Sequence, residues 1–309
     1  MELKTSLEKH IQDIRTKLAE VSDVMFPDYA INVYLNRICD SAKNTNFSGS
    51  VPKLEHTYRQ IELRYGIAAA MLLNKLALIS SVKESLIRLN SKDYPGSVVD
   101  HYIQWFLRAE KDAGHQPDSY YHHTNVVFRK DLAVCSLRSI PIGGAWLLEI
   151  GRIGGRSLIL NSGIPQLIKY LRTVIHATRG FKPFYVMHVF ERYILRLNNH
   201  ELMNAYRRIA ELLRRNTKIK GLYRASWLLD PHLDTISPHL RFNRRIPQDH
   251  GAHFFKSVAD AAVIKNAITL SPERKTLYEQ AKYQPQVHAF IWPRREILRW
   301  AESQDCDSI

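Results

Sequence analysis

Cysteine is scarce. The 309 residues hold three, Cys39, Cys135 and Cys306, an odd number without short spacing, which excludes a disulfide framework and a paired-cysteine metal site. Glycine and proline number 13 each, too few for a collagenous or low-complexity chain, and no repeat of 20 to 50 residues is visible. A long uninterrupted apolar run is also missing. The longest apolar stretch, Gly66 to Val82, carries Asn74 and Lys75 in its middle, where an ionised group in hydrocarbon is costly, so a buried helix is expected there and no membrane span. The opening MELKTSLEKHIQDIRTKLAE is too charged for a secretory signal, and the expected location is the cytoplasm. What the chain does have is apolar material: a hydrophobic fraction of 45% is enough for one large or two ordinary domains and excludes disorder.

Charge is unevenly spread. Up to Asn125 there are 15 Lys+Arg and 15 Asp+Glu, and beyond it 29 and 15, so the whole net charge of +14 belongs to the later part. A basic surface in one segment favours polyanionic partners: nucleic acid, a phosphorylated cofactor such as coenzyme A, or an acidic carrier protein. Solvated helix faces decorated with arginine give the same count.

From Glu2 to about Val24, Leu7, Ile11, Ile14 and Leu18 recur at helical spacing, and Lys53 to Leu89 holds two further helix-like runs. Asp93-Tyr94-Pro95-Gly96 signals a turn before an aromatic helix, Val98 to Ala109, and Asp112-Ala-Gly-His-Gln-Pro-Asp-Ser reads as a linker. A mostly helical region over 1–120 and a basic α/β domain over 121–309 follow from this division.

In the second part Val126 to Phe128 and Leu132 to Ile140 are rich in β-branched residues and read as a strand pair; Gly143-Gly144 separates them from a strand at Trp146 to Ile150. Ser162 and Pro165 start a helix through Leu167, Ile168, Leu171 and Ile175 that Gly180 stops. A strand is expected at Phe184 to Phe190, then an amphipathic helix from Asn198 or Asn199 through Leu202, Tyr206, Ile209 and Leu213, closed by Arg214 and Arg215. Gly221 to Leu229 reads as a strand ended by Asp230-Pro231. A basic loop, short helices at His253 to Ile264 and Pro272 to Ala281, and a last strand at Val287 to Trp292 complete the pattern. Strands alternating with helices predict an α/β, largely parallel sheet flanked by helices, α+β with the helical start.

Two resemblances attach to the closing part. Ile209-Ala-Glu-Leu-Leu, Trp227-Leu-Leu-Asp-Pro-His-Leu, Ile236-Ser-Pro-His-Leu, Gly251-Ala, Leu277-Tyr-Glu and Trp292-Pro-Arg resemble phrases of an uncharacterised bacterial protein family, over roughly the last 110 residues. The order strand, helix, strand, helix, strand, then Leu277-Tyr278-Glu279-Gln280-Ala281-Lys282-Tyr283 before a final strand is similar to the end of GNAT-type N-acyltransferases. Lys282 stands where those enzymes usually have glycine, and their pyrophosphate loop is absent from its usual place before a helix. The nearest glycine-rich stretch is Gly151-Arg152-Ile153-Gly154-Gly155-Arg156, whose backbone N–H groups and two arginines suit a phosphate. A hairpin or bulge that needs glycine uses the same residues.

The GNAT resemblance implies a mixed sheet, a CoA or acyl-carrier thioester as co-substrate, a small-molecule amine as acceptor, and Tyr278 as the acid that protonates the leaving thiolate; otherwise Tyr278 is a packed helix aromatic. His188 and Glu191, at the exit of a predicted strand, are candidate general bases in an apolar setting, or a core histidine and a surface ion-pair partner of Arg192 or Arg196. Ser226, Trp227, Asp230 and His232 cluster at the next strand exit. Ser226 lacks the Gly-x-Ser-x-Gly elbow of a hydrolase nucleophile, and Asp230 before Pro231 suits a turn cap. Among 14 histidines, His122-His123 and His250-Gly-Ala-His253 are the closest pairs, short of the three or four ligands of a zinc site; no metal is expected. Arg207, Arg208, Arg214, Arg215, Lys218, Lys220, Arg224 and Arg241 to Arg245, interleaved with Tyr223, Trp227 and Phe242, form a candidate phosphate-tracking surface. Three readings result: an acyltransferase using a CoA or carrier thioester, a nucleic-acid-binding or accessory protein, and a metal-dependent enzyme.

Overall fold

The computed structural model describes residues 2–22, 52–154, 158, 163–259 and 261–306. Val24, Cys39, Gly155, Arg156 and Ser162 lie outside them. Two compact units divide the chain: Met1–Glu149 with Phe190–Ile194, and Ile150–Val189 with Leu195–Ile309. Among the described residues six strands form a mixed sheet, in the order β1-β2-β3-β4-β6-β5.

The first unit is helical. Its helices are α1 (Glu2–Ser22), α2 (Pro52–Leu89), α3 (Gly96–His115) and α4 (Val126–Cys135). Helix α2 packs against the other three and breaks its helical geometry at Gly66, φ 85°. The part of it over Tyr58–Leu89 is long and apolar enough to cross a membrane, but most of its apolar window is buried against protein. Its polar groups find partners there: Asn74 donates to the Tyr121 carbonyl at 2.7 Å, and Ser85 donates to the Cys135 carbonyl at 2.7 Å. Leu7, Ile14 and Leu18 of α1 are buried, as their spacing predicts.

The strand pair expected at Val126–Phe128 and Leu132–Ile140 is α4 instead, with only Ile140–Pro141 extended as β1, antiparallel to β2 (Trp146–Gly151). Asn125 decides the difference. Its side chain accepts the N–H groups of Val127 and Phe128, an N-cap that outweighs β-branched propensity, and Phe128, Asp131, Val134 and Cys135 then fall on one buried face.

The second unit holds α5 (Gly163–Arg172), extended by a π-helical turn Thr173–Ala177, then β3 (Phe184–Val189), α6 (Asn199–Arg215), β4 (Gly221–Ser226), the short α7 (Leu233–Ile236), α8 (Phe242–Asp249), β5 (His253–Ser257), α9 (Ala261–Thr269), α10 (Pro272–Glu279), β6 (Val287–Pro293) and α11 (Arg294–Cys306). The parallel expectation is corrected. Only β3 and β4 are shown parallel; β6 runs antiparallel to both β4 and β5. The expected helix at His253–Ile264 is β5 followed by α9, because residues 253–257 pair along their whole length with β6. The basic loop is largely α8, whose Asn243 is buried and accepts from Arg224 at 3.1 Å.

One apolar cluster of this unit joins Ile153, Leu158, Tyr170, Val174, Phe184, Tyr223, Phe255, Ala289 and Ile291. A second joins Trp227, Leu228, Leu233, Leu240 and Ala267 beneath the β4 exit. On the other side of β4, Tyr206 of α6 meets Trp292 and Trp300 edge to face.

Candidate functional site

The polar groups converge where β4 ends and β6 begins. Ser226 closes β4 directly opposite His288 of β6, and its hydroxyl accepts the N–H of Leu228 at 3.2 Å, capping the turn Trp227–Leu229. Asp230 follows, 1% exposed. Its Oδ1 accepts the N–H of His232 at 3.0 Å and lies 2.8 Å from His232 Nδ1; its Oδ2 accepts the Tyr283 hydroxyl at 3.1 Å and the Gln286 N–H at 2.9 Å. A buried carboxylate with four donors is fully satisfied. The turn cap read at Asp230 is therefore also the anchor of the segment leading into β6.

His232 is the exposed member, its side chain 56% accessible beside a wholly buried Asp230. The carboxylate beside Nδ1 orients the ring and leaves Nε2 as the nitrogen that Asp230 does not engage. His288 sits nearby in electrostatic terms: burial pulls its pKa below the ordinary 6.5, Asp230 opposes, and Lys256, Arg244 and His232 act with burial. Tyr283 is pushed the other way, its phenol raised first by burial and then by Asp230. Arg274, also buried, donates to the Ala267 carbonyl and to Ser237 Oγ, with its guanidinium 5.0 Å from the Trp227 ring centre.

The other candidates fall elsewhere. Tyr278 is half-buried in the last turn of α10. Glu191 belongs to the first unit, where both of its oxygens accept from Lys130 Nζ at 2.6 and 2.5 Å; Lys130 is 4% exposed and burial lowers its pKa. His188 lies on β3 in the second unit. Gly151 ends β2, Arg152 is exposed, Ile153 donates its N–H to the Phe181 carbonyl, and Gly154 is half-buried.

Of the basic surface, Arg214 and Arg215 are exposed, but Tyr223, Arg224 and Trp227 are buried, and Arg244 and Arg245 both bind Asp234. Of the interleaved rings, Tyr223 and Trp227 are buried and Phe242 is half-buried. His122 and His123 lie against each other and against the Tyr58 ring, and no group of three or more His, Cys, Asp or Glu side chains suited to a metal occurs among the described residues.

The structure brings the sequence candidates Ser226, Asp230 and His232 together with Tyr283, Gln286 and His288, which sequence reasoning did not single out. The signal for His288 was available: it is a polar residue inside the apolar alternation of Val287 to Trp292. Nothing local marks Tyr283, which is 53 positions from its partner.

No protein-family model, curated protein or solved structure matches the chain.

Proposed function

We propose that the second unit is an N-acyltransferase of the GNAT kind, which moves an acyl group from a CoA or acyl-carrier thioester to an amine. The observation that carries this reading is the parallel pair. Strands β3 and β4 run parallel, with Tyr185 opposite Leu222 and Val186 opposite Tyr223, while β4 is paired antiparallel with β6 at all six positions. In this reading the thin pantetheine arm of the thioester lies at the carboxyl ends of this parallel pair, where open α/β sheets gather their ligands. The order β3, α6, β4, then β5 and β6 fits the resemblance read from sequence.

In this reading the amine attacks the thioester carbonyl, forming the C–N bond and breaking the C–S bond. His232 Nε2 receives the amine proton while Asp230 holds Nδ1, and Tyr278 returns a proton to the leaving thiolate. Lys256, exposed and opposite His288 in the β5–β6 register, favours the phosphate-bearing end. Glu191, engaged by Lys130, is left out of the chemistry. The same proposal places the protein in the cytoplasm, where Cys135, buried and with its thiol pKa raised by that burial, stays reduced.

The test has two arms. Free CoA and a panel of acyl-CoAs raise the thermal midpoint, and release of free thiol with an amine panel falls about 100-fold in His232→Ala with the fold intact. Absence of both a thermal shift and thiol release across the panels overturns the reading.

A further inference from the structure

Helix α5 carries an outward apolar stripe. Ile164, Ile168, Leu171 and Ile175 are spaced by four, three and four residues, which at about 100° per residue sets them within a sector of about 60°. All four are exposed, at 72%, 45%, 44% and 59%. The inner face accounts for their position. Tyr170 and Val174 belong to the apolar cluster, and the Gln166 amide pairs with the backbone of Lys256, donating to its carbonyl at 2.8 Å and accepting its N–H at 2.9 Å. With that face fixed to β5, the stripe is held outward, and Phe181 beyond the helix is exposed as well.

Charge along the segment that carries the stripe has one sign. From Ile150 to Phe190 the sequence has no Asp or Glu, yet it holds Arg152, Arg156, Lys169, Arg172, Arg179 and Lys182. Lys169 and Arg172 are exposed on the same helix, next to the stripe around its circumference. A helix whose aliphatic strip adjoins a cationic flank matches the interface of a bilayer bearing anionic headgroups, where the aliphatic side chains enter the acyl boundary and the cations stay among phosphates. A structured protein partner is less well served. The four residues of the stripe itself are aliphatic, without the Trp or Tyr anchors that concentrate binding energy at protein interfaces.

We infer that the α5 face docks the protein on the surface of anionic lipid membranes. The inference stands apart from the acyltransferase reading and needs no activity to test it. The full-length protein is sedimented with large vesicles of phosphatidylcholine alone and of phosphatidylcholine with about a third phosphatidylglycerol, at low and at physiological salt. Expected is binding to the anionic vesicles that weakens with salt, at least tenfold weaker binding by Ile168→Ser/Leu171→Ser, and a separate loss in Lys169→Glu/Arg172→Glu. Thermal melting of each variant establishes that these exposed substitutions leave the fold intact. Three results overturn the inference: no binding to anionic vesicles, unchanged binding by the folded serine variant, or a self-associating protein that binds no vesicle and becomes monomeric through the same substitutions.

Discussion

At the scale of single residues, buried charge is what organises the chain. Asp230 fixes the entry to β6 through Tyr283 and Gln286. Asp230→Ala leaves a hydroxyl and a backbone N–H buried without their acceptor, and urea unfolding should show a loss of about 2–4 kcal/mol. His232→Ala, at an exposed side chain, should cost under about 1 kcal/mol in the same measurement, so its effect on turnover reads as chemistry. In the first unit, Glu191→Ala exposes the opposite asymmetry. It takes the Glu191 carboxylate away from the buried Lys130 ammonium, with an expected loss of about 1–3 kcal/mol, of which Lys130→Met in the same chain restores a part. Sequence showed Asp230 beside His232 because the two are neighbours. It could not show Lys130 with Glu191, since a pair 61 positions apart is created only when the chain folds.

At the scale of elements, capping and close approach decide more than propensity does. Helix α6 was legible throughout: Asn198 caps it by accepting the Glu201 N–H at 2.8 Å, and Leu202, Tyr206, Ile209 and Leu213 are all buried. Helix α4 was read as strands because three of its first nine residues are valine, yet Asn125 caps it. Asn125→Ala should therefore cost about 1 kcal/mol, seen as a lower urea midpoint. Strand β5 was read as helix because a five-residue run shows little period, and its extended form comes from β6 beside it. Gly221 marks the tightest approach in the second sheet region. Its φ is 155°, and an added Cβ would stand 2.2 Å from the Trp292 carbonyl oxygen. Gly221→Ala should destabilise by about 3 kcal/mol or more, through backbone separation of β4 from β6.

At the scale of the whole molecule, pH divides the two units. Burial raises Tyr58 in the first unit and Tyr206 in the second to about 12 from the ordinary 10. A raised folded-state pKa stabilises below the unfolded value and is lost as pH climbs, so both units should weaken between about pH 10 and 12. On the acid side His253 and His288 are lowered from 6.5, both first by burial. A depressed folded-state pKa gives stability that is present above 6.5 and lost as pH falls, and both histidines belong to the second unit. Hydrogen exchange followed at falling pH should show amides of β5 and β6 losing protection in that window, while histidine NMR titration gives midpoints below 6.5 for both rings.

From the sequence alone came the excess of cations after Asn125, the amphipathic helices with their caps, the place of Asn74 and Lys75 inside the longest apolar stretch, and the acid-free stretch from Ile150 to Phe190. Each is a property of composition or of neighbours within a helical turn, where side-chain type and local hydrogen bonds set the energy. Strand direction, the parallel pairing of β3 with β4, the pairing of Asp230 with Tyr283 and the outward set of Ile164, Ile168, Leu171 and Ile175 were decided by tertiary structure. The reason is shared by all four: which face of an element meets solvent, and which distant group reaches a buried charge, depends on the other elements that remove water from it.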